Sequence, residues 1–164
     1  MKTGIFFGST TGTCEALAGR IATALGVDST DVHNASELTA DLVGQYDRLV
    51  LGSSTWGGGD LQDDWFDAIE TLKGLNLSGK QVALFACGDA SSYGDTFCNA
   101  LGTLYDELQD TGATFIGTGV STDDYSYDDS TAVRDGAFVG LPLDEVNEDD
   151  KTDERIKNWV ATLG

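Results

Sequence analysis

The feature that most limits what this chain can fold into is a repeated handover from a short, unbroken apolar run to a polar loop and then to an amphipathic stretch. Apolar runs occupy residues 2–7 and 48–52 and the segments KQVALFACGD and ATFIGTGV. A strand with one wet face alternates apolar and polar residues, whereas these runs are continuous, so both faces of their sheet are covered. Between them, Leu17, Ile21, Ala24 and Leu25 recur at helical spacing within 12–25. Trp65, Phe66, Ile69 and Leu72 predict a second helix with those four on one face. Phe97, Leu101, Leu104, Tyr105 and Leu108 mark a third, and Ile156, Trp159, Val160 and Leu163 a last one. Weaker signals predict a strand over 27–32 and a short helix over 38–43. Residues 121–137 follow no period, and Phe138 to Leu141 is a short apolar piece. Strict β/α alternation predicts an α/β fold with a doubly wound parallel sheet. With 164 residues and no repeat or linker, 1–164 reads as one domain.

In such a sheet, ligands bind beyond the carboxyl ends of the strands, where the strand order switches. Three loops therefore matter. The first, Gly8 to Cys14, reads GSTTGTC. A helix N-terminus offers backbone N–H groups and a partial positive charge, glycines let the backbone close on an anion, and hydroxyls add donors. The loop has neither the lysine of GxxxxGK nor a GxGxxG pattern, so an ATP loop and a dinucleotide fingerprint are both disfavoured. A small phosphorylated cofactor fits such a loop; a plain structural turn is the competing reading. The second loop sets Trp56 before Gly57-Gly58-Gly59, which suits stacking on a flat ring, or equally a tryptophan folded back on its own domain. The third, from Cys87 to Asp95, adds Gly88, Asp89 and Tyr93.

Charge narrows the partners. There are 28 acidic residues against 9 basic, a net charge of -19, which repels nucleic acid and anionic membranes and attracts basic protein surfaces. Solubility alone, or a salty cytoplasm, is the plainer explanation. Five acids and no base fall between Asp60 and Glu70. The three cysteines, Cys14, Cys87 and Cys98, and the single histidine, His33, lack metal-ligand spacing. A disulfide framework, a zinc site and Ser-His catalysis are not expected, and a reduced, cytoplasmic setting is. No signal peptide or membrane span is evident.

Four segments, GIFFGSTTGTCE, LVLGSSTWGGGDLQDDW, VALFACGDASSYGDTFCNALGTL and GAFVGLPLDEVNEDDKTDERIKNWV, together resemble the flavodoxins, specifically the long-chain class. The resemblance runs over essentially the whole chain. It implies a five-stranded parallel sheet of order 2-1-3-4-5, with an insertion near 119–138 splitting the last strand. It further implies non-covalently bound FMN and a role as a low-potential one-electron carrier without a substrate of its own. By resemblance, Ser9, Thr10, Thr11, Gly12, Thr13 and Cys14 hold the phosphate. Ser54, Thr55, Trp56 and Gly57 line one side of the flavin ring, and Cys87, Gly88, Asp89 and Tyr93 the other, with Tyr93 stacked on the outer face. Asp95 and Cys98 are weaker candidates. Cys14 stands where the family often has a hydroxyl, and a thiol is a weak donor, so its backbone N–H is the expected contribution.

The partners implied are basic-surfaced redox proteins, such as flavodoxin reductases and electron acceptors, met by a monomer. Two other functions share the architecture: an NAD(P)H-dependent FMN quinone reductase, and a signalling domain without cofactor. The acidic rim argues against the first, since it repels a phosphate-rich dinucleotide. A yellow protein excludes the second.

Overall fold

The computed structural model describes residues 2–8, 12–56, 60, 61, 63–88, 97–123, 125, 127 and 129–163, with backbone alone at 55, 56, 60 and 61. The main sheet begins with β1 (Thr3–Gly8), which leads through α1 (Thr13–Leu25) to β2 (Val32–Asn34). The chain continues through α2 (Ala40–Val43) to β3 (Arg48–Trp56), a short β4 (Asp60–Leu61) and α3 (Trp65–Lys73). Then come β5 (Gln81–Cys87), α4 (Asn99–Glu107) and β6 (Thr114–Ile116). Three short strands follow, β7 (Val120–Ser121), β8 (Val133–Arg134) and β9 (Ala137–Phe138), and the chain ends with β10 (Leu141–Leu143) and α5 (Thr152–Leu163).

Across the sheet the order is β2-β1-β3-β5, with the outer place beside β5 shared by β6 and β10, all parallel. That is the 2-1-3-4-5 order with the last strand in two pieces. β6 pairs Gln81 to Ala83 and β10 pairs Phe85 to Cys87. Between those pieces, β7, β9 and β8 form a small antiparallel ribbon.

The continuous apolar runs do what they predict. Alternate side chains serve opposite faces, and both faces are packed. Ile5, Phe7, Val50, Ala83 and Phe85 join Leu17, Ile21, Ile156 and Trp159 of α1 and α5. Phe6, Leu49, Leu51, Val82 and Leu84 join Trp65, Ile69, Leu72, Leu101 and Leu104 of α3 and α4. Each such side chain contributes about 1.5–3 kcal/mol when fully buried.

Several local expectations are corrected. The second strand starts at Val32 rather than Val27, because Asp28 Oδ1 accepts from the Thr30 N–H at 3.0 Å and winds Ser29–Asp31 into a 3₁₀ turn. The short helix starts at Ala40, where Thr39 Oγ1 accepts from the Leu42 N–H at 3.2 Å. β3 does not stop near Gly52: it runs to Trp56 and turns back, Thr55 facing Leu61 and Trp56 facing Asp60. Phe66 is 55% exposed, not part of the buried face of α3. It sits about 100° around the helix from Trp65, off the stripe of Trp65, Ala68, Ile69 and Leu72. The segment ATFIGTGV is not one strand but β6 and β7, broken at Gly117 and Gly119, both at positive φ. Among the described residues, no helix is long and apolar enough to cross a membrane.

Candidate functional site

The strand order switches at β1: the chain passes from it to β2 on one side and later to β3 on the other. β1 ends at Gly8, which lies opposite Ser53 of β3. Gly12 then adopts φ +90, a left-handed conformation that costs a side-chain-bearing residue energy and glycine little, and among the described residues nothing lies within 4 Å of where a Cβ would stand. This turn starts α1 at Thr13, and the Ala16 N–H donates to the Gly12 carbonyl at 3.0 Å. The amides of the first helical turn consequently face the carboxyl edge of the sheet, with the positive end of a 13-residue helix behind them.

Cys14 lies in that turn but is fully buried, and its Sγ is 2.8 Å from Sγ of Cys87. The thiol faces the body of the protein, so only the backbone of Cys14 is presented to the edge. Ser53 is buried, its hydroxyl donating to the Ser54 carbonyl at 2.8 Å, while Ser54 is half-buried. The end of β3 is held from below by the Trp65 indole, whose N–H donates to the Gly52 carbonyl at 2.7 Å.

β5 delivers Cys87 and Gly88 to the same edge. Hydrogen bonding to Cys14, and then burial, push the Cys87 thiol well above its ordinary pKa. The Gly88 N–H donates to the Leu143 carbonyl at 2.9 Å, and a Cβ on Gly88 would lie 2.9 Å from Cys98 Sγ. Cys98 is therefore a floor beneath the edge: it is fully buried, 3.8 Å from the Ala86 carbonyl, and burial pushes its pKa well up.

Of the residues singled out in the sequence, Gly12, Thr13, Cys14, Ser54, Cys87 and Gly88 thus converge on the carboxyl ends of β1, β3 and β5. Thr55 and Trp56 continue β3 as backbone. Ser9, Thr10, Thr11, Gly57, Asp89, Tyr93 and Asp95 lie outside the described residues. One loop at this edge escaped sequence reasoning, the turn after β10. There the buried Asp144 accepts from the N–H groups of Val146 at 3.1 Å and Asn147 at 2.9 Å, and from Asn147 Nδ2 at 2.9 Å. The signal was an Asp directly after an apolar triplet, with an Asn three residues on, an Asx-turn pattern. Its neighbour Glu145 receives Arg20 of α1 at 2.6 Å, and Arg20 also pairs with Asp153 of α5.

Just before α3 and on it, beside the end of β3, Asp63, Asp67 and Glu70 are exposed around the exposed Phe66. Lys73 pairs with Glu70 of this group at 3.6 Å and with Glu107 of α4 at 2.8 Å.

An open parallel sheet with a left-handed glycine turn at its switch point defines a doubly wound α/β protein whose ligand edge centres on β1 and β3. Comparison with known proteins narrows this class. The flavodoxin family model matches residues 5–159. The chain is 45% identical to flavodoxin 1 of Azotobacter vinelandii, covering 99% of this chain and 95% of that protein. It is 43% identical to flavodoxin 1 of Escherichia coli K12, covering 98% and 92%. A crystal structure of Fusobacterium nucleatum flavodoxin bound to flavin mononucleotide superposes with a TM-score of 0.88 at 29% identity, covering 99% of this chain and 97% of that one. The chain belongs to the flavodoxin family.

Proposed function

We propose that the whole chain acts as a single FMN-binding domain and carries electrons one at a time between redox proteins. The observation that supports this best is the Gly12 turn, which brings the N-terminus of α1 to the switch point of the sheet in a member of the flavodoxin family. The residues present fit FMN. The turn from Gly8 to Cys14 contains glycines, hydroxyls and helix amides but no basic side chain, the chemistry of a small phosphate held by dipoles. Bound there, FMN supplies a flavin ring that can accept and release single electrons.

The chain supplies the rest. Ser9, Thr10, Thr11, Gly12, Thr13 and Cys14 take the phosphate, Cys14 through its backbone N–H. Ser54, Thr55, Trp56 and Gly57 form one wall for the ring, and Cys87, Gly88, Asp89 and Tyr93 the other. Trp56 and Tyr93 exclude water from its faces. Because no cation offsets the phosphate, and the stretch from Asp60 to Glu70 adds five acids, further negative charge at this edge is costly, which favours a low potential. The reading includes no general base or nucleophile. Partners are basic-surfaced redox proteins that meet the monomer on the acidic side around α3.

Titrating apoprotein with FMN and with riboflavin, by flavin fluorescence, tests the site. Thr11→Val removes a donor to a charged group, a loss of about 1.5–3 kcal/mol, so FMN affinity drops by roughly 10- to 100-fold while riboflavin affinity holds. Equal weakening of both ligands overturns the phosphate assignment. Purified protein that oxidises NAD(P)H unaided with turnover would instead make it a reductase. For partners, neutralising Asp63, Asp64 and Asp67 together should slow electron transfer with a basic reductase more than neutralising Asp149, Asp150 and Asp153. That difference should fade between about 0.01 M and 0.1 M salt, as the Debye length falls from about 30 Å to about 10 Å. Equal slowing by both sets removes the docking face.

A further inference from the structure

The edge that receives the cofactor also contains two buried thiols in contact. Cys14, in the first turn of α1, and Cys87, the last residue of β5, are 73 positions apart in sequence, yet their sulfurs lie 2.8 Å apart. That is about 0.8 Å beyond the length of a disulfide. Both cysteines are free thiols. We propose that Cys14 and Cys87 form a reversible redox site, closed to a disulfide by a peroxide and reopened by a small dithiol. The inference rests on the thiol geometry alone and stands whether or not FMN occupies the edge.

Access decides the part each sulfur plays. Cys14 is fully buried, whereas Cys87 keeps 7% of its surface exposed. Hydrogen peroxide is close to water in size, so Cys87 is the sulfur it reaches while bulky oxidants are kept out. Hydrogen bonding to Cys14 and burial both raise the Cys87 pKa, so its thiolate is a minor species and the reaction is slow. That thiolate attacks one oxygen of the peroxide: the O–O bond breaks, an S–O bond forms, and the leaving hydroxide takes up a proton as water. Cys87 is then a sulfenic acid. The Cys14 sulfur, 2.8 Å away, attacks it, the S–O bond breaks as the S–S bond forms, and the Cys14 proton leaves with the hydroxide as a second water. Two thiols and one hydrogen peroxide give one disulfide and two waters.

Cys98 does not take part. It lies beneath Gly88, its sulfur is directed at the Ala86 and Leu143 carbonyls, and its thiol is also held protonated by burial. The bond would tie the start of α1 to the end of β5 and close a long loop in the unfolded chain, so the oxidised protein should melt several degrees higher than the reduced one.

The experiment treats purified protein with hydrogen peroxide, once with its cofactor bound and once after cofactor removal. Free thiols are counted under denaturing conditions, and peptides are mapped without reduction. The count should fall from three to one, with the Cys14 and Cys87 peptides joined and both thiols recovered on adding dithiothreitol. Cys98→Ser should leave the cross-link intact. Cys14→Ser and Cys87→Ser should each abolish it, and Cys14→Ser should trap a sulfenic acid on Cys87 that dimedone labels. Three thiols persisting in both preparations, at a peroxide dose that oxidises a free thiol, overturn the proposal; so does a cross-link that joins Cys98. The wild-type peptide map decides the matter even if a serine variant fails to fold.

Discussion

Of the helices that begin at the carboxyl edge of the sheet, α1 after β1 and α4 after β5 have their starts treated in opposite ways by the chain. Both are preceded by a residue in the left-handed region, Gly12 at φ +90 and Cys98 at φ 50, and neither of these residues caps its helix through a side chain. At Gly12 no atom of the described residues lies within 4 Å of where a Cβ would stand. Around the start of α4 the space is filled by the chain itself. The Phe97 N–H donates to the Asp129 carbonyl at 3.2 Å, Ser130 Oγ donates to the Phe97 carbonyl, and Asn99 Oδ1 accepts from the Thr131 N–H at 2.8 Å. Phe97 then packs among Tyr125, Tyr127 and Phe138. Topology alone provides helix N-termini at this edge. Which of them can serve a ligand is decided by whether another segment seals it, and here the residues that split the last strand seal α4.

The comparison is broken most severely by forcing the sealed end apart. A Cβ at Gly102 would lie 2.7 Å from the Thr131 carbonyl oxygen, so Gly102→Val must displace segment 129–132. A loss of about 3 kcal/mol is expected, lowering the thermal midpoint on the order of 10 °C. FMN affinity of the variant that remains folded should hold, and a loss of affinity as large as that of Thr11→Val would show that the two helix starts are coupled. The open end responds in the other currency. Gly12→Ala meets no atom of the described residues but needs an unfavourable backbone angle, a cost of about 1–2 kcal/mol in denaturant unfolding of the apoprotein. It should also weaken FMN binding; unchanged FMN affinity would detach the turn from the site.

The smallest effect concerns the groups that hold the sealing segment from behind. Glu148 pairs with Arg155 at 3.1 Å and Lys151 at 3.0 Å, and Arg155 lies 3.9 Å from the ring centre of Tyr125. Burial works against the Glu148 charge, but these hydrogen bonds outweigh it and hold its pKa below the ordinary 4.5. A lowered carboxylate pKa stabilises the fold above the unfolded value, and that stability disappears as pH falls through the folded one. Glu148→Gln should therefore cost about 1 kcal/mol at pH 7, with the gap to wild type closing below pH 4.5. A gap that persists at pH 3 would make the contribution one of packing rather than charge.

The same contrast marks what could be read from the sequence. The edge at α1 was legible, because a strand ending in glycine and hydroxyls before a helical period is a local signal. The central strands were legible because Ile5-Phe6-Phe7 and Leu49-Val50-Leu51 have apolar residues for both faces. The sealed edge was not, since segment 121–137 obeys no period and its partners lie far off in sequence: Thr131 with Asn99, Asp129 with Phe97. One part of it was readable and passed over. Asp135-Gly136, at φ 55 and +82, is a two-residue hairpin turn joining β8 to β9, and a DG pair between short apolar pieces is the usual sign of one. Phe66 misled for a different reason. Its apolarity fits a helical face, but one position along α3 is a rotation of about 100°, enough to send it to solvent beside Asp63 and Asp67.

The division of the outer strand has a consequence for how this architecture can change. Ile116 pairs with Ala83 and Leu141 with Phe85, so the two pieces resume along β5 with only the position opposite Leu84 between them. Residues 117 to 140 intervene in sequence between the two pieces, whose pairing resumes almost in register. The segment behaves as a cassette: a genetic deletion that rejoined Ile116 to Leu141 through a single residue would preserve every pairing along β5. Lengthening or shortening at this seam keeps the register of the main sheet while changing the segment that seals the start of α4, which makes the outer strand the place where such a chain can gain or lose a surface without re-pairing its sheet.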